Sequence, residues 1–538
     1  MKALMIWPKH IASMQSLEGM HKLIGVKSQY VPLPIVTVAA LLPQEWDFRV
    51  VDCNIKTVSD DDWNWADIVL ISGMMTQRDD QSRLIQQAKA HDKLVAVGGP
   101  FATSVPHVPT RAGADFLVLD EGEITIPEFV EALNAGETSG VFRANGRQAD
   151  MTQSPMPRYD LLNFDNYMTM CVQFSRGCPY LCEFCDIPHL FGRTPRTKTP
   201  GQMTAELTRL MELGWNEMVF IADDNLIGNK KLAKSLLREL VVWQQESGGL
   251  ALSAEASLNV ADDPKLLQLM QDANIRVLFI GIESPEEELL RQVKKQQNCN
   301  HSMIERIHRI YEYGFRVVSG MIIGFDNEAP GADRRILNFL KEAAIPVSLV
   351  SMMTALPNTP LSARLEKEGR LFPEVGENGS MINCDLTNFS MTRPLAEVAS
   401  EFVNCIETIY EPVEYYERLR RHCLISKIPP RRKKRKLVRN KYERKIAFNI
   451  IWNQGFRRPG RWKFWSSAFD VARKNPLALR RFAACCGQLE HFYNYREQVK
   501  RDVWRSYEAL GDYRFKIHEP GQSKDHQDDG IRVNLLAS

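Results

Sequence analysis

The feature that most restricts the fold of this chain is a repeated alternation of short apolar runs with longer helical segments. Runs that are apolar throughout are typical of strands buried on both faces of a parallel sheet. In residues 1–135 these runs are KALMIW (2–7), FRVVDC (48–53), DIVLISG (67–73), LVAVGG (94–99) and DFLVLD (115–120). The alternation predicts a doubly wound α/β domain over 1–135, in which ligands bind at the carboxyl ends of the strands.

A second series of strand and helix patterns covers residues 171–370. It follows a loop-like stretch at 136–170, rich in proline, glycine and polar residues, which we interpret as a linker. The six predicted strands are CVQFS (171–175), EMVFIADDN (217–225), LALSAEAS (250–257), VLFIGIE (277–283), VVSGMIIGF (317–325) and PVSLVSMMTAL (346–356). Six consecutive strand–helix units predict a complete or partial α/β barrel, with its chemistry on the loops after the strands.

The remainder of the chain has a different pattern. Residues 371–515 are mainly helical in pattern and rich in aromatic and basic residues, and the polar tail 516–538 is predicted to be disordered. A net charge of only +2 over 538 residues gives no electrostatic case for a nucleic-acid partner. No stretch approaches the roughly 18 apolar residues that a membrane span needs. We therefore expect a cytoplasmic protein with reduced thiols.

Three of the 11 cysteines lie within eight positions directly after the first strand of the second series. Cys178, Cys182 and Cys185 have the spacing C-x3-C-x2-C. Three thiolates on one loop can hold three irons of a cubane cluster and leave the fourth iron open to another ligand. Structural zinc normally needs four ligands, so a Cys3His site that includes His189 is the alternative. A cytosolic setting argues against a disulfide.

The cysteine spacing, with aromatic Phe184 before the last cysteine, resembles the signature of the radical S-adenosylmethionine (SAM) superfamily. The resemblance implies a [4Fe-4S] cluster on Cys178, Cys182 and Cys185, with SAM chelated to the open iron. In that family an electron from the cluster cleaves SAM to methionine and a 5′-deoxyadenosyl radical, which abstracts a hydrogen atom. The family's partial (β/α)6 barrel agrees with the strand and helix pattern of 171–370.

The ends of the other barrel strands resemble the SAM-binding positions of the same family. The segments are ADDN (222–225), SAEAS (253–257), GIES (281–284) and SGMIIGF (319–325). Each carboxylate also has a simpler interpretation as part of an ion pair inside the barrel. The SAM-binding residues that the resemblance implies are Phe184, Asp223, Asp224, Asn225, Glu255, Ser257, Glu283, Gly320 and Gly324.

The N-terminal domain resembles the cobalamin-binding Rossmann-like domain of the cobalamin-dependent, or class B, radical SAM enzymes. The segments PLPIVTVAALLP (32–43), GGPFATSVP (98–106) and DEGE (120–123) carry the resemblance. The glycines among them also fit simple tight turns. The cobalamin-binding residues that the resemblance implies are Ser72, Gly73, Met74, Gly98, Gly99, Glu121, Gly122 and Glu123.

One departure concerns the lower face of the cobalt. Cobalamin mutases with a protein histidine ligand carry D-x-H-x-x-G, and this sequence lacks that motif. His10 is an alternative ligand, although it has neither the aspartate nor the glycine of the motif. We expect the loop SGMMTQRDD (72–80) to face the cobalt without a strong ligand.

The C-terminal part resembles a class B branch with a helical extension that includes the hopanoid C-2 methyltransferases. The segments ALPNTPL (355–361), RLEKEGRL (364–371) and YEPVEYYERL (410–419) carry this resemblance. It implies a methyltransferase acting on an unactivated carbon of a hydrophobic substrate, a hopanoid or isoprenoid lipid before a tetrapyrrole. One SAM molecule would remethylate cobalamin and a second would yield the radical. Aromatic residues of the extension form either a lid over the substrate or, as we favour, core.

The same interpretation implies an external electron donor and no nucleic-acid partner. The basic run at 427–445 is either a solvated surface or a peripheral contact with anionic lipid. Two other functional classes stay open. One is a radical cyclase or oxidative ring-former with the same cofactors, and the other is a non-catalytic cobalamin or redox sensor.

Overall fold

In the computed structural model, residues 1–372, 386–429 and 443–509 are described, except for the side chains of 443–446 and 509. The strands are β1 Lys2–Trp7, β2 Ser28–Tyr30, β3 Asp47–Asp52, β4 Ile68–Ser72, β5 Leu94–Gly98, β6 Phe116–Val118, β7 Gly140–Phe142, β8 Tyr167–Val172, β9 Ser175–Arg176, β10 Arg196–Thr197, β11 Met218–Ile221, β12 Ala251–Glu255, β13 Ile275–Glu283, β14 Arg316–Ile323 and β15 Val347–Met352.

The helices of the first two domains are α1 Glu18–Ile24, α2 Leu33–Leu41, α3 Asp60–Trp65, α4 Arg78–Ala90, α5 Gly99–Ser104, α6 His107–Ala112, α7 Gly122–Asn134, α8 Ile187–Leu190, α9 Pro200–Glu212, α10 Lys230–Ser247, α11 Pro264–Asp272, α12 Glu287–Gln292, α13 Met303–Glu312, α14 Ala332–Glu342 and α15 Pro360–Lys367. The C-terminal helices are α16 Leu395–Ile409, α17 Pro412–Ile425, α18 Glu443–Trp452, α19 Arg461–Lys474 and α20 Leu479–Ala509, with a π-helical turn at Asn453–Arg457 after α18.

The N-terminal sheet is parallel throughout and has the strand order β3-β1-β4-β5-β6-β7. All five residues of β4 are buried, which explains why the sequence of this strand is apolar without alternation. The predicted doubly wound domain is therefore confirmed. The sheet has one more strand than the five that the sequence predicted, because β7 lies inside the stretch that we interpreted as a linker.

The second sheet is a parallel half-barrel with the order β15-β14-β13-β12-β11-β8-β2. The predicted strands overlap β8 and β11 to β15, although β8 begins at Tyr167, four residues before the predicted start. The helices α9, α10 and α11 begin at Pro200, Lys230 and Pro264. Proline at the first turn and capping side chains such as Thr199 and Asp263 explain these sharp starts. The seventh strand, β2, comes from the N-terminal domain and pairs with β8, so it joins the two domains through backbone hydrogen bonds.

The C-terminal helices pack against the outer side of β15 and against α1, confirming the mainly helical C-terminal domain. Helix α16 buries one face, with Leu395, Val398, Phe402 and Cys405 among its buried residues at helical spacing. The 31-residue helix α20 contacts both α1 and α16. None of the helices in the described ranges is long and apolar enough to cross a membrane.

Candidate functional site

The three predicted cluster ligands lie on a loop that is braced on both sides. Strands β9 and β10 form a short antiparallel ladder around the loop. Within it the Cys178 amide donates to the Gly192 carbonyl (3.3 Å) and the Cys185 amide to the Cys182 carbonyl (3.1 Å). Gly177 has a φ of +93°, and a Cβ there would lie 2.9 Å from the Thr194 carbonyl oxygen. Glycine at this position lets the ladder close directly before the first cysteine.

The cysteine thiols are buried and need a nearby positive charge in order to ionise. Burial raises the pKa of Cys185 to about 12 and also raises that of Cys178, with the neighbouring thiols adding to both shifts. Gln297 donates its side-chain amide to the Cys182 sulfur at 3.6 Å. Bound iron would supply the charge that favours the thiolates. Among the described residues, no three His, Cys, Asp or Glu side chains converge on a single metal ion.

Sequence reasoning missed Lys295, which lies beside this loop. Its ammonium is 2.6 Å from Glu283 Oε1 and 5.9 Å from the ring centre of Phe184. Burial opposes the charge of Lys295, yet Glu283 and the neighbouring thiol of Cys182 hold its pKa above the usual range. A Cβ at Gly281 would lie 2.2 Å from Glu283 Oε1 and 2.9 Å from Lys295 Nζ, so this ion pair lies directly over bare backbone.

The predicted SAM-binding residues after β11 divide into two groups. Asp223 is fully engaged, since its carboxylate accepts from the Phe174 amide at 2.7 Å and from the Ser175 hydroxyl at 2.6 Å. Asp223 therefore fixes the backbone that leads into the cysteine loop. Asp224 accepts only a longer bond of 3.3 Å, from the Gly177 amide, and burial together with the Asp223 charge raises its pKa to about 7.

Asn225 and Ser257 connect the ends of β11 and β12. The Ser257 amide donates to Asn225 Oδ1, and Asn225 Nδ2 donates to the Ser257 hydroxyl, both at 3.2 Å. The Ser257 hydroxyl continues to Asn259, which donates to the Tyr180 hydroxyl in the cysteine loop at 2.8 Å. This network ties the cysteine loop to two strand ends.

Glu255 differs from the other carboxylates because no described side chain pairs with it. Burial, then Asp224 and Asp223, raise its pKa to about 8. Asp223, Asp224, Glu255 and Glu283 lie close enough to interact electrostatically, and we call this group of carboxylates beside the cysteine loop the acidic cleft. Such a cleft suits a ligand that carries positive charge, such as the sulfonium and ammonium groups of SAM.

The two glycines predicted near the adenine have different surroundings. A Cβ at Gly320 would lie 3.2 Å from the Phe279 ring and 3.7 Å from Glu283 Oε2, so Gly320 faces the same cleft. Gly324 has a φ of +98° and lies beneath Met391 of the C-terminal domain, where a Cβ would come within 2.5 Å of the Met391 methyl. Close packing between domains therefore explains this glycine without a ligand.

A cavity of about 1060 Å³ lies between the N-terminal sheet and the half-barrel. The barrel contributes Tyr30 of β2, Gln173, Phe191 and Phe220, none of which the sequence reasoning singled out. All of the predicted cobalamin-binding residues except Gly73 line the cavity: Ser72, Met74, Gly98, Gly99, Glu121, Gly122 and Glu123. Gly73 lies against Gln81 and Gln77 instead.

Gly98 and Gly99 give the cavity a wall of bare backbone. A Cβ at Gly98 would lie 2.6 Å from the Val118 carbonyl oxygen. Gly99 has a φ of +90°, and a Cβ there would lie 2.5 Å from the Ser72 hydroxyl. Side chains are excluded at both positions, so a large flat ligand can approach the carboxyl ends of β4 and β5 closely.

Glu121 and Glu123 line the cavity but are also used in ion pairs with the barrel. Arg176 is 3.0 Å from Glu121 and 2.8 Å from Glu123, and Arg196 is 2.9 Å from Glu121. These four side chains are almost completely buried. The two glutamates therefore join the N-terminal domain to the ladder that braces the cysteine loop.

His10 lies in the cavity wall after β1. Its Nδ1 is 3.3 Å from the Thr76 hydroxyl, and burial lowers its pKa to about 4, so the ring is neutral at physiological pH. Thr76 belongs to the loop 72–80 that we expect to face the cobalt. His10 and this loop therefore lie together at one side of the cavity.

Comparisons with known proteins agree with this arrangement. Residues 172–340 match the model of the radical SAM superfamily, residues 23–130 match a B12 binding domain, and residues 359–504 match a domain of unknown function, DUF4070. The chain is 34% identical over 477 residues to the hopanoid C-2 methylase of Rhodopseudomonas palustris, with 87% of this chain and 88% of the relative covered. The chain belongs to the cobalamin-dependent radical SAM methyltransferase family.

Two further proteins are similar to this chain over nearly its whole length. The chain is 47% identical over 514 residues to "Uncharacterized methyltransferase sll1242" of Synechocystis sp., with 95% of each chain covered. The solved structure of the cobalamin-dependent S-adenosylmethionine radical enzyme OxsB has the same fold, with a TM-score of 0.58 at 14% identity. The alignment covers 94% of this chain and 81% of OxsB.

The cofactors of this radical SAM methyltransferase are a [4Fe-4S] cluster, SAM and cobalamin. The residues present fit all three groups. Cys178, Cys182 and Cys185 offer three thiols on one braced loop, and the acidic cleft beside them suits a cationic ligand. The bare backbone at Gly98 and Gly99 leaves room for the macrocycle.

Proposed function

We propose that this enzyme transfers a methyl group to an unactivated carbon of a hydrophobic small molecule, with a hopanoid or related isoprenoid lipid as the favoured substrate. The observation that carries the proposal is the cavity of about 1060 Å³ that both cofactor domains line. A cavity lined by both domains allows a substrate carbon to lie between the cobalamin domain and the half-barrel. The lipid class is supported by the 34% identity to a hopanoid C-2 methylase.

The contacts of the individual side chains support the roles that we propose for them. Cys178, Cys182 and Cys185 hold the cluster, and Gln297 donates a hydrogen bond to the Cys182 sulfur. When bound, the cluster and SAM supply reductive cleavage of SAM, and cobalamin supplies the methyl group. The chain's own contribution is to orient these groups around one cavity.

SAM binding is assigned to the acidic cleft. Asp224, Glu255 and Glu283 face its positive groups, Phe184 and Gly320 form apolar walls, and Asn225 with Ser257 holds the two strand ends in place. The contacts of Asp223 support a positioning role at the start of the cysteine loop. For Gly324, packing against Met391 supports a structural role.

Cobalamin binding is assigned to the strand ends of the N-terminal sheet. Ser72 is the last residue of β4 and Met74 follows it, Gly98 ends β5 and Gly99 begins α5, and Gly122 begins α7. Glu121 and Glu123 hold Arg176 and Arg196 at the border of the cavity, so their role is to position the cysteine loop against the cobalamin domain. Gly73 lies in the turn after β4, against Gln77 and Gln81, and has a structural role there.

The first experiment measures both SAM-derived products together. Anaerobically purified protein with a reconstituted cluster is incubated with dithionite, SAM and hydroxocobalamin, and 5′-deoxyadenosine and S-adenosylhomocysteine are quantified. We expect both products, each lost in Cys182→Ala and kept in Cys53→Ala. Cys53 is a matched control because it is a free cysteine in the N-terminal domain.

The other outcomes separate the alternatives. With bound cobalamin verified by its absorption, 5′-deoxyadenosine alone would support a radical cyclase or ring-former. Neither product, with an intact cluster, would support a sensor. If both products form, the mass of the product then distinguishes a methylase from a ring-former, because a methylase adds one methylene to its substrate in each turnover.

A further inference from the structure

Six large aromatic side chains are exposed on one part of the C-terminal domain. We call them the aromatic face: Phe448, Trp452, Phe456, Trp462, Trp465 and Phe469. Trp462 is 77% exposed and Phe469 is 71% exposed, which is unusual for side chains of this size. Their neighbours in sequence, Phe464 and Phe482, are buried. The predicted core role therefore holds for some aromatics of this region but not for the aromatic face.

The aromatic face is connected rather than scattered. Phe448 stacks on Trp452 with ring centres 6.3 Å apart, and Trp452 contacts Phe456 at 5.7 Å. Phe456 contacts Trp465 of α19 at 5.9 Å. Trp465 and Phe469 share one side of α19 with Trp462, because these positions are three and four residues apart. The exposed sides of α18, the π-helical turn and α19 thus form one surface.

A glycine fixes the junction between the two halves of this surface. The Trp465 indole N–H donates to the Gly455 carbonyl at 2.9 Å, and a Cβ at Gly455 would lie 2.9 Å from the Trp465 ring. The junction uses the polar group of Trp465 inside the protein. Its ring is therefore presented outward as an apolar surface.

Basic residues outnumber acidic ones around the aromatic face, and Arg458, Lys463 and Lys474 are paired there with Glu490, Glu417 and Asp470. Residues 447–481 contain eight arginines and lysines and one acidic residue, Asp470. Arg457, Arg461 and Arg473 are exposed and make no ion pair with the described residues. Arg473 continues the helical spacing of Trp462, Trp465 and Phe469. Arginines therefore border the aromatic side chains on the same side of α19.

We propose that the aromatic face docks on the surface of an anionic lipid bilayer. Tryptophan and phenylalanine flanked by arginine and lysine are typical of helices that lie in the membrane interface. Each basic side chain near an anionic surface adds attraction, so the net charge of this surface matches its partner. The inference goes beyond the proposed function, because it concerns a surface outside the cavity and does not depend on the substrate.

The docked orientation places the membrane near a wall of the cavity. Ile450, on the buried side of α18, approaches Gly487 of α20, and Met20 of α1 reaches the same glycine. Helix α1 in turn contributes Glu18, His21 and Lys22 to the cavity lining. A membrane against the exposed side of α18 is therefore separated from the cavity by α18 and α1.

The test is sedimentation of the full chain with vesicles of pure phosphatidylcholine and with vesicles of equal parts phosphatidylcholine and phosphatidylglycerol. We expect binding to the anionic vesicles, weakened by added salt because exposed charges are screened. The double variant Trp462→Ala with Phe469→Ala should bind about tenfold more weakly, since it loses two apolar side chains that the bilayer would cover. Both residues are exposed, so the variant should unfold at an unchanged temperature.

Val242→Ser is the matched control, because Val242 is an exposed apolar residue on α10, in the half-barrel. It should bind vesicles like the wild type. Wild-type protein that stays in the supernatant with both vesicle types would overturn the proposal. So would equal binding by the wild type and the double variant. A wild type that dimerises in analytical ultracentrifugation, with a monomeric double variant and no vesicle binding, would reassign the surface to a second copy of this chain.

Discussion

Arg176 and Glu123 form a two-point ion pair between the two cofactor domains, with Nη1 to Oε2 at 2.8 Å and Nη2 to Oε1 at 2.9 Å. Arg176 precedes the first cluster cysteine by two residues, and Glu123 lies in the first turn of α7 in the cobalamin domain. This pair therefore sets the position of the cysteine loop relative to the cavity. The planar fork of arginine suits such a contact better than lysine would.

Arg176→Met is expected to destabilise the protein by about 3 kcal/mol, because it leaves the buried Glu123 carboxylate without its arginine and Glu121 with Arg196 alone. We also expect less iron per chain after cluster reconstitution, since the ladder before Cys178 loses its anchor. Chemical denaturation and iron analysis measure the two effects. Arg147→Met is the control, because Arg147 pairs with Glu128 on the surface. It should change stability by at most about 1 kcal/mol and leave iron binding unaltered.

The same ion pair predicts how stability depends on pH. Burial opposes ionisation of Glu123, but Arg176 outweighs it and lowers the pKa of Glu123 below its ordinary 4.5. A lowered carboxyl pKa gives stability that is present above pH 4.5 and is lost as the pH falls through the folded-state value. We expect the wild type to lose more stability than Arg176→Met on acidification below pH 4.5. Parallel pH curves of the two proteins would contradict this assignment.

Much of the fold was predictable because most strands are recognisable from their own local amino-acid pattern. The strands of both sheets are apolar runs bounded by turns, and prolines mark the starts of α9 and α11. Strands β2 (SQY) and β7 (GVF) were missed because neither contains more than two consecutive apolar residues, whereas the equally short β6 lies in the apolar run FLVL. Strand β2 forms only by pairing with β8 of the other domain, a long-range contact that no local pattern encodes.

The site residues were predictable as a set but not in their individual contacts. Cysteine spacing and the order of strand ends identified the loop and the strands around it. The sequence could not assign Glu121 and Glu123 to ion pairs, because their partners Arg176 and Arg196 lie in another domain. Lys295 gave no signal for the same reason, since it reaches Glu283 only through the fold. The basic run at 430–442 lies outside the described residues, so the predicted lipid contact of 427–445 stays a prediction.

Gly99→Ala is expected to weaken cobalamin binding at least about tenfold, because a Cβ at this position would lie 2.5 Å from the Ser72 hydroxyl and would displace the turn after β4 that lines the cavity. Gly136→Ala is the matched control. Both glycines have a positive φ, +90° and +86°, but a Cβ at Gly136 meets nothing within 4 Å. Backbone strain of about 1 kcal/mol is common to both variants. Titration of hydroxocobalamin absorbance measures the difference, and equal affinities would show that Gly99 serves the backbone alone.

The raised pKa of Glu255 predicts that SAM affinity depends on pH. Burial and the neighbouring carboxylates raise its pKa to about 8, so the protein without ligand holds it protonated at pH 7. Its contribution to stability is thus present below its ordinary 4.5 and is lost as the pH rises through about 8, opposite in sign to Glu123. A cationic ligand favours the ionised form, so SAM affinity should rise between pH 7 and 8.

The measurement is calorimetric titration of SAM into anaerobic, cluster-loaded protein at several pH values. Glu255→Gln cannot ionise, so its affinity should change much less than that of the wild type between pH 7 and 8. Asp224 has a pKa of about 7, so in both proteins it adds a weaker pH dependence of SAM affinity at pH values below 7. Glu128→Gln alters a surface carboxylate and should retain the wild-type slope. A steep slope that persists in Glu255→Gln would place the linked proton on another group and remove Glu255 from the SAM site.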